Sequence, residues 1–511
     1  MMRNTILAVL VVATLIFAGL TYYVFSGTTI SFFVICLCLT SVAFYDAFIQ
    51  KNHSLLRAFP LIARLRWVFE EEREKIQQYF IEDDLNGTPI NREKRSLVYQ
   101  RSKKQTETIP FGTQHNVYAK GYEFVKHSLF PKDHHLVDGT RITFGSDKCL
   151  QKYEASILNI SAMSFGSLSK NAIRALNEGA QMGGFAHNTG EGGISPYHLK
   201  GGDLIFQVGT GYFGAGKTIN DKRVFDGEIF QKNALRPEVK MIELKLSQGA
   251  KPGHGGILPA KKNTEEIAKI RAVEPFTTVA SPPGHSSFSD YRGLVEFIEE
   301  LRRLSQGKPI GIKLCIGNYS EIETLVKTFS EQNNYPDFIS VDGGEGGTGA
   351  APLEFTNYIG TPLYEGLTFI NSLLLRYDLR HQIKIMASGK AVDAFDIVKL
   401  KAMGADAIGM ARGFMLSLGC IQARECNLDT CPVGVATQDS DLVKALVVEK
   451  KNTRVRNYHD KTIEAVQEMI GAMGKTSIND MGPHDVFRRC KNGEIVSFDR
   501  IYNSHKKPIL N

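Results

Sequence analysis

The sequence predicts a (β/α)8 TIM barrel with an N-terminal two-helix transmembrane hairpin and a helical C-terminal extension. Two observations predict the barrel. From residue 155, apolar runs rich in β-branched residues alternate with amphipathic stretches, which is typical of a parallel sheet. The alternation covers about 280 residues, a usual length for this fold. A doubly wound sheet is the alternative, but no G-x-G-x-x-G motif follows the first predicted strand.

The hairpin is predicted in residues 1–50, which contain two uncharged apolar stretches. Residues 4–25 are long enough to cross a bilayer as a helix, and residues 30–45 form a shorter second run. A signal peptide is the alternative, but its apolar region is shorter and no second one follows it. Arg3 precedes the hairpin and four cations follow it between residues 51 and 66. The positive-inside rule therefore predicts a multi-pass protein of the cell membrane, with its catalytic domain facing the cytoplasm.

Residues 51–150 are predicted to be a juxtamembrane segment that leads into the barrel. Apolar residues recur at three- and four-residue steps from Leu55 to Phe69, which predicts an amphipathic helix with a bend at Pro60. Its apolar face meets either the membrane surface or the soluble domain, and periodicity does not distinguish the two. The charged residues 83–104 are predicted to form a loop.

The predicted barrel domain covers residues 151–440, and residues 441–511 are the helical extension. Seven strands are predicted, with an eighth near 185–188 or 205–208; the seven are residues 157–162, 241–246, 277–280, 310–314, 338–341, 383–387 and 407–410. Helices are predicted after several of them, at residues 169–181, 264–273, 291–305, 321–331, 363–380, 392–403 and 413–424.

Charge and cysteine content restrict the class of function. The chain has 61 Lys and Arg against 54 Asp and Glu, a formal net charge of +7. This excess is small for a nucleic-acid-binding protein, and no basic–aromatic motif accompanies it, so no nucleic-acid partner is expected. Eight cysteines in 511 residues show no paired pattern. A reducing compartment without structural disulfides is therefore expected.

Three of the cysteines form a candidate metal site. Cys420, Cys426 and Cys431 have the spacing C-x5-C-x4-C, and Pro432 follows the third. Ferredoxin clusters have tighter C-x2-C runs, and structural zinc sites have C-x2-4-C pairs with a fourth ligand. A three-iron cluster needs only three thiolates, which is what this run supplies. Three buried structural cysteines are the alternative.

The run C-x5-C-x4-C-P-V-G-V-A-T-Q resembles the [3Fe-4S] cluster loop of the large chain of glutamate synthase. The resemblance continues upstream through five motifs in the family's order, and it covers residues 150–440. These motifs are MSFGSL at 163–168, NTGEGG at 188–193, KLSQGAKPGHGG at 245–256, SPPGH at 281–285 and GGTGAA at 346–351. The resemblance implies an FMN-binding barrel with a [3Fe-4S] cluster that reduces 2-iminoglutarate to glutamate.

A flavin phosphate site is predicted after the last two strands. Ser388, Gly389 and Lys390 follow one of them, and Ala411 and Arg412 follow the other. The loops at these positions often bind phosphate in TIM barrels, and glycine allows backbone N–H groups to approach it closely. Plain tight turns are the alternative, since glycine is the usual turn residue.

A glycine-rich segment, residues 342–352, follows the predicted strand 338–341. Five glycines in eleven residues indicate a backbone that lies against a flat ring or a carboxylate. Four of them are assigned to cofactor binding: Gly343, Gly344, Gly346 and Gly347. Glu345 is assigned a catalytic role, although the family has Asp at this position and His at that of Gly344.

Lys313, at the end of a predicted strand, is the second catalytic candidate. A cation here can stabilise a reduced, anionic flavin or pair with a substrate carboxylate, and a structural salt bridge is the alternative. The resemblance implies backbone contacts of Met163 and Ser164, after the first predicted strand, with the flavin ring. Gln248 and Lys251, which follow the predicted strand 241–246, are also assigned to cofactor binding. His254 and His285 are interpreted as hydrogen-bonding structural residues rather than acids.

The expected substrate is a 2-oxo or 2-imino acid, and the expected electron donor is ferredoxin or a separate reductase subunit, because no NAD(P)H fingerprint is present. The family's glutaminase domain begins with a cysteine, whereas this chain begins Met-Met-Arg, so ammonia is expected from solution or a partner. Two alternatives are kept. One is a membrane-linked FMN oxidoreductase with another substrate and a quinone or redox partner. The other is a membrane-tethered scaffold, against which the intact cysteine triplet argues.

Overall fold

The structure of the protein is a computed structural model that describes residues 2–220 and 222–502. Its internal contacts divide the chain between Gly87 and Thr88 into two compact units. The division falls inside the predicted juxtamembrane segment 51–150. The first unit contains the two apolar helices, and the second contains the barrel.

Two apolar helices, Met2–Tyr23 and Gly27–Phe44, open the first unit, and a π-helical turn, Tyr45–Ile49, extends the second. Ser26 caps the second helix by accepting a hydrogen bond from the backbone N–H of Thr29. Both helices are long and apolar enough to cross a membrane. Little of their surface is buried within the described part of the protein.

The predicted amphipathic helix is broken in two at the proline, as its bend suggested. A short helix, Ser54–Ala58, stops before Pro60, and a second, Arg64–Ile76, begins after it and continues through the π-helical turn Gln77–Ile81. Proline lacks the N–H that a continuous helix needs. Leu61 then adopts a positive φ of 62°, which completes the break.

The predicted TIM barrel is confirmed in the second unit. Eight parallel strands form a closed barrel, and pairing of Ile408 with Leu158 joins the last strand to the first. The strands are β1 Leu158–Ile160, β2 His187–Asn188, β3 Leu204–Val208, β4 Val239–Lys245, β5 Ile310–Cys315, β6 Phe338–Asp342, β7 Lys384–Ser388 and β8 Ala407–Met410.

One predicted barrel strand, 277–280, is wrong. Val279–Ala280 pairs antiparallel with Ile257–Leu258 in a small hairpin outside the barrel. β5 pairs directly with β4, and Gly311 lies beside Glu243, so no position exists between them. Both candidates for the eighth strand are instead barrel strands, β2 and β3. A four-residue apolar run does not by itself distinguish a barrel strand from a loop hairpin.

Helices follow most of the strands and cover the barrel. In chain order they are Lys170–Gly183, Gly227–Ala234, Glu265–Arg271, Tyr291–Leu304, Tyr319–Glu331, Leu353–Tyr358, Leu363–Arg376, Ala394–Ala402 and Arg412–Leu418. The predicted helix 413–424 ends early, because Gly419 adopts a φ of 105° that terminates helices. The three cysteines therefore lie in a loop rather than on a helix.

A hairpin of two strands, Arg141–Phe144 and Tyr153–Ser156, packs on the amino-terminal end of the barrel. The ring of Phe144 contacts that of Phe338 edge-on, with centroids 5.4 Å apart. This packing fills the lower end of the barrel with apolar side chains. The opposite, carboxyl end is the one to which the strand-end residues and long loops belong.

The predicted loop at residues 83–104 is wrong for its second half, which is the helix Arg92–Lys103. Asn91 caps it by accepting from the N–H of Lys94. Two of its cations are paired rather than solvated: Lys94 Nζ lies 2.5 Å from Asp396, and Arg101 Nε lies 2.5 Å from Glu107. Local composition does not reveal partners that lie far away in the sequence.

The C-terminal extension is mainly helical, as predicted, with helices Ser440–Lys444, Val448–Ala472 and Phe498–Tyr502. It also contains two strands, Val486–Arg489 and Ile495–Ser497, which were not predicted. They form a three-stranded antiparallel sheet with Glu123–Val125. The extension is thus joined to the segment that precedes the barrel.

Candidate active site at the carboxyl end of the barrel

A buried ion pair joins the ends of β5 and β6. Lys313 Nζ lies 3.2 Å from Asp342 Oδ2, and the two side chains are 8% and 10% exposed. Burial on its own lowers the pKa of Lys313, but Asp342 and Glu243 outweigh it and raise that pKa above its ordinary value. Lys313 is therefore an ammonium. Asp342 Oδ1 is buried without a hydrogen-bond partner among the described residues, so this carboxylate retains an unused acceptor.

A second carboxylate, Glu243, lies beneath this pair inside the barrel. It accepts hydrogen bonds from Asn188 Nδ2 at 2.8 Å, from Gln207 Nε2 at 2.6 Å and from Ser340 Oγ. The donors come from β2, β3 and β6. The sequence did not identify Glu243, because it lies within an apolar strand. Only the side chains that face it across the barrel show that its carboxylate accepts hydrogen bonds.

A third group of charges surrounds Glu191, in the loop after β2. Lys245 Nζ, from the end of β4, lies 2.8 Å from Glu191 Oε1 and 2.9 Å from Gln248 Oε1. Burial raises the pKa of Glu191, but Lys245 and Arg271 outweigh it and lower that pKa. Glu191 is therefore ionised. Its place in the NTGEGG motif was the signal that could have identified it.

Lys251, one of the predicted cofactor-binding residues, belongs to the same group. Its residue is 2% exposed, and burial lowers the pKa of its ammonium despite the opposing effect of Glu191. The structure therefore brings Gln248 and Lys251 into one charged cluster with Glu191 and Lys245. Glu191 and Lys245 were not among the predicted site residues.

Arg412 joins the glycine-rich loop after β6 to the end of β8. Its Nη2 donates to the backbone carbonyl of Glu345 at 3.0 Å. A Cβ at Gly347 would lie only 3.2 Å from Arg412 Nε, so glycine there lets the loop lie against the guanidinium. Burial lowers the pKa of Arg412, although Glu345 and Asp342 oppose it. The half-buried guanidinium remains a cation at the mouth of the barrel.

The carboxylate of Glu345 is hydrogen-bonded to a neighbouring backbone amide. It accepts from the backbone N–H of Leu363 at 3.1 Å, at the start of the helix Leu363–Arg376. Gly343 N–H donates to the carbonyl of Ser388 at 2.9 Å. A Cβ at Gly389 would lie 3.2 Å from Leu363 and 3.6 Å from Glu345. The glycine-rich loop and the predicted phosphate site are thus adjacent.

The turn after β7 has an unusual backbone at Lys390. This residue is exposed and adopts a φ of 49°, in the left-handed region, a conformation that is uncommon outside glycine and concentrates at functional sites. Ser161, directly after β1, places its Oγ 3.5 Å from Ser388 Oγ. The ends of β7 and β1 are therefore in contact.

Met163 and Ser164 lie directly after β1, and Met163 is 8% exposed. Arg271 Nη2 donates to the carbonyl of Phe165 at 3.0 Å and approaches Ser164 Oγ at 3.4 Å. Burial lowers the pKa of Arg271 to about 10. Arg271, which sequence reasoning missed, fixes the segment in which the predicted contacts of Met163 and Ser164 lie.

His285 is a hydrogen-bonded structural residue, as the sequence suggested. Its Nε2 lies 2.9 Å from the carbonyl of Lys245, and its Nδ1 lies 3.0 Å from Tyr212 Oη. Burial lowers the pKa of His285 to about 4. His254 similarly places Nδ1 2.9 Å from the carbonyl of Gly255. Neither contact gives the histidine the role of an acid.

The three cysteines share one loop after the last barrel helix, and none forms a disulfide. Burial, with smaller contributions from the neighbouring Cys426 and Cys431, raises the pKa of Cys420 to about 12. Burial also raises the pKa of Cys426. Each thiol is thus close enough to influence another, and burial disfavours the thiolate form of both Cys420 and Cys426.

The spacing of the thiols does not suit a single zinc ion. Sulfurs 2.3 Å from one tetrahedral zinc are about 3.8 Å apart, whereas the three Sγ atoms do not form a group that lies within 4.8 Å of one another. A cluster that distributes its cysteine ligands over several irons tolerates the wider separation. Three cysteine thiols in one loop are a donor set that an iron–sulfur cluster can use.

The cysteine loop is docked against the segment that follows β1. Ser169 N–H donates to the carbonyl of Val435 at 2.9 Å, and Gln438 Nε2 donates to the carbonyls of Gly166 and Leu168 at 3.1 and 3.0 Å. Lys262 Nζ bonds carbonyls of both segments. These bonds hold the cysteine loop against the segment that follows β1.

A closed parallel barrel whose carboxyl end gathers buried charges, glycine-rich loops and a docked cysteine loop defines an α/β-barrel protein with an enzyme-like site. Residues 137–476 match the family described as the conserved region in glutamate synthase. The chain belongs to the glutamate synthase family.

Curated relatives differ in how much of their length this chain spans. The glutamate synthase large subunit-like protein YerD of Bacillus subtilis is 36% identical over 493 residues, which are 88% of this chain and 93% of that protein. The archaeal-type glutamate synthase [NADPH] of Thermotoga sp. is 33% identical over 66% of this chain and 63% of its own length. The ferredoxin-dependent glutamate synthase 2 of Synechocystis is 31% identical, over 62% and 21%.

Solved structures with a similar chain course include a mutant flavocytochrome b2 with pyruvate bound, 14% identical, with a TM-score of 0.42 over 87% of this chain and 92% of that one. A mandelate oxidase is 15% identical, with a TM-score of 0.41 over 81% and 96%.

Proposed function

We propose that the protein binds FMN and a [3Fe-4S] cluster and reduces a 2-imino or 2-oxo acid, with 2-iminoglutarate, which gives glutamate, as the first candidate. The observation that carries the proposal is the meeting of three features at one end of the barrel. These are the buried Lys313–Asp342 pair, the Arg412 guanidinium against the glycine-rich loop, and the cysteine loop docked behind β1.

The phosphate of FMN fits the turn after β7 and the start of the helix after β8. Ser388 supplies a hydroxyl, Gly389 allows close approach of the backbone, and Lys390 and Arg412 supply positive charge, next to Ala411. Arg412 is already held by the carbonyl of Glu345, so its guanidinium is oriented before a ligand arrives. A planar guanidinium is well suited to phosphate oxygens.

The ring of the flavin fits between the segment after β1 and the glycine-rich loop. Met163 and Ser164 directly follow β1, and Gly343, Gly344, Gly346 and Gly347 belong to the loop after β6. Bound FMN supplies hydride transfer to a C=N or C=O carbon. The ammonium of Lys313 stabilises negative charge at this end of the barrel, because Asp342 keeps it protonated.

The substrate's carboxylates fit the cluster of Gln248, Lys251 and Lys245. Lys251 is buried and forms no ion pair with a carboxylate among the described residues, whereas Lys245 is engaged by Glu191. A buried cation that lacks a close anionic partner is a suitable site for an acidic substrate. The catalytic assignment of Glu345 remains a prediction, since its carboxylate is bonded to the N–H of Leu363.

The cluster would be held by Cys420, Cys426 and Cys431, and it would pass single electrons to the flavin. We propose ferredoxin or a reductase subunit as the donor, since relatives are named for both ferredoxin and NADPH and this chain has no dinucleotide motif after β1. Ammonia would come from solution or from a partner. A quinone-linked oxidoreductase is a second candidate, favoured by the two helices that can cross a membrane.

The spectrum of the detergent-purified protein tests this function. Flavin absorbance, together with the EPR signal of an oxidised three-iron cluster, is expected. Turnover of 2-oxoglutarate with ammonium and a one-electron donor should then yield glutamate. A protein with neither chromophore contradicts the proposal. Chromophores with turnover of a quinone but none of 2-oxoglutarate favour the second candidate.

The membrane location is a separate proposal with its own test. Reporter fusions after residue 50 and at the C-terminus should both report a cytoplasmic position, because the flanking cations lie on one side of the hairpin. A signal on the outer side at either place contradicts this topology.

A further inference from the structure

A lysine outside the predicted site connects the segment after β1 to the cysteine loop. Lys262 ends a short 3-10 helix, Ala260–Lys262, and is 2% exposed. Its Nζ donates to the carbonyl of Ser167 at 2.7 Å, to that of Cys426 at 3.2 Å and to that of Ala436 at 3.1 Å. One amino group thus bonds three backbone positions that come from two separate segments.

The three partners settle the charge of this amino group. All three are backbone carbonyls, which only accept hydrogen bonds, and a lysine side chain has three N–H donors only when it is an ammonium. A neutral amine would direct its lone pair at one of the carbonyls. The hydrogen-bond count therefore places a buried positive charge beside Cys426.

The nearby charges leave Lys262 without a salt bridge. Burial lowers the pKa of Lys262, and Arg271 lowers it further, whereas Asp429 and the thiols of Cys426 and Cys431 act in the opposite direction and favour the ammonium. Asp429 is itself held in the loop, where its Oδ1 accepts from the N–H of Gln438 at 2.7 Å. Lys262 forms no ion pair within 4.0 Å among the described residues, so its field is not cancelled locally and reaches the cysteines.

We propose that Lys262 is a positioning residue of the cysteine centre, which anchors the cysteine loop to the segment after β1 and raises the reduction potential of a cluster bound there. A fixed positive charge favours the form of the cluster that has gained an electron. The same three bonds hold the loop against the segment that contains Met163 and Ser164. This inference deepens the proposed function, and its electrostatic part rests on a cluster being bound.

The test compares Lys262→Met, which removes the charge and all three donors, with Lys262→Arg, which keeps the charge. Lys261→Met is the matched control, because Lys261 is the adjacent residue and is exposed. Iron and sulfide content are measured first, and then the cluster is titrated with a reductant under EPR. Neither measurement depends on turnover.

At the midpoint potential of the wild type, Lys262→Met should lower the ratio of reduced to oxidised cluster about tenfold. For a one-electron couple this corresponds to a midpoint potential lower by about 59 mV. Lys262→Arg should stay within about threefold of the wild type, and Lys261→Met should match it. Asp429→Asn should change the ratio in the opposite direction. An intact cluster with an unchanged ratio in Lys262→Met overturns the electrostatic role, as does an equal loss in Lys262→Arg.

Hydrogen exchange tests the anchoring role without reference to the cluster. Amides of residues 419–437 should exchange about tenfold faster in Lys262→Met, while those of the helix Lys170–Gly183 stay unchanged. Lys262→Gln, which keeps two donors, serves if the methionine variant does not fold. Unchanged exchange in the loop overturns the anchoring role. A wild type without iron contradicts the proposed function, and the exchange experiment still decides whether Lys262 anchors the loop.

Discussion

Lys313 Nζ lies 3.2 Å from Asp342 Oδ2, and this pair is almost completely removed from solvent where β5 and β6 end. Breaking a buried ion pair by removing one partner is far more costly than losing a surface pair, because the remaining charge is left without compensation. Lys313→Met should therefore destabilise the protein by about 3–5 kcal/mol. Denaturant unfolding in detergent measures this loss.

The double variant Lys313→Met with Asp342→Asn should recover part of that stability, because it leaves no unpaired charge. Lys327→Met is the matched control. It breaks an exposed pair with Glu331 at 3.5 Å, and a change of about 0.5 kcal/mol or less is expected. Equal stability of Lys313→Met and the wild type would show that the buried pair is not coupled to folding.

Gly389→Asp should abolish FMN binding while the barrel remains folded. The substitution places a carboxylate where we propose the phosphate, and like charges repel strongly in a partly buried site. Gly389→Ala separates charge from bulk, since its Cβ would lie 3.2 Å from the flexible end of Leu363. The alanine variant should keep most of its flavin. Flavin released by acid and quantified by fluorescence is the measurement, and full occupancy in the aspartate variant would place the phosphate elsewhere.

Cys426→Ser should remove the iron–sulfur cluster and leave the flavin in place. A three-iron cluster has one thiolate for each iron, and the loop supplies three cysteines, so the loss of one leaves no substitute. Iron and sulfide should fall to background, and dithionite should still bleach the flavin. Cys490→Ser is the control, because Cys490 is half-buried and lies outside the loop. Wild-type iron content in Cys426→Ser would mean that the triplet is structural.

Acid should destabilise the barrel through three buried histidines. Burial lowers the pKa of His187 to about 3 and that of His285 to about 4, and it holds the pKa of His198 well below its ordinary value. In the unfolded chain a histidine binds a proton near pH 6.5. Between about pH 6.5 and about pH 4 the unfolded state therefore binds protons that the folded state does not. This part of the stability is complete above pH 6.5 and is lost as the pH falls.

His187→Phe isolates one of these contributions. Neither ring nitrogen of His187 has a hydrogen-bond partner among the described residues, so an apolar ring replaces it without breaking a bond. The loss of stability between pH 7.5 and pH 5 should shrink by about 2 kcal/mol in this variant. His381→Gln, at an exposed position, should leave the loss unchanged. Identical pH profiles for wild type and His187→Phe would contradict the assignment.

The sequence by itself determined the class of the fold and the position of the cysteine triplet. Strand–helix alternation is a local, periodic signal, and the spacing of Cys420, Cys426 and Cys431 is contained in twelve residues. The strand-end motifs could also be located, because parallel strands bring their carboxyl ends to one side of a barrel.

Tertiary structure alone decided which polar groups meet. Lys262 bonds the carbonyls of residues 95, 164 and 174 positions away, and Glu243 accepts from residues on three other strands. The run 277–280 has the local composition of a barrel strand, yet β4 and β5 pair directly and leave it outside. Periodicity in the sequence predicts which face of a helix or strand is apolar. The partner of a buried charge is decided only when segments that are distant in the sequence pack together.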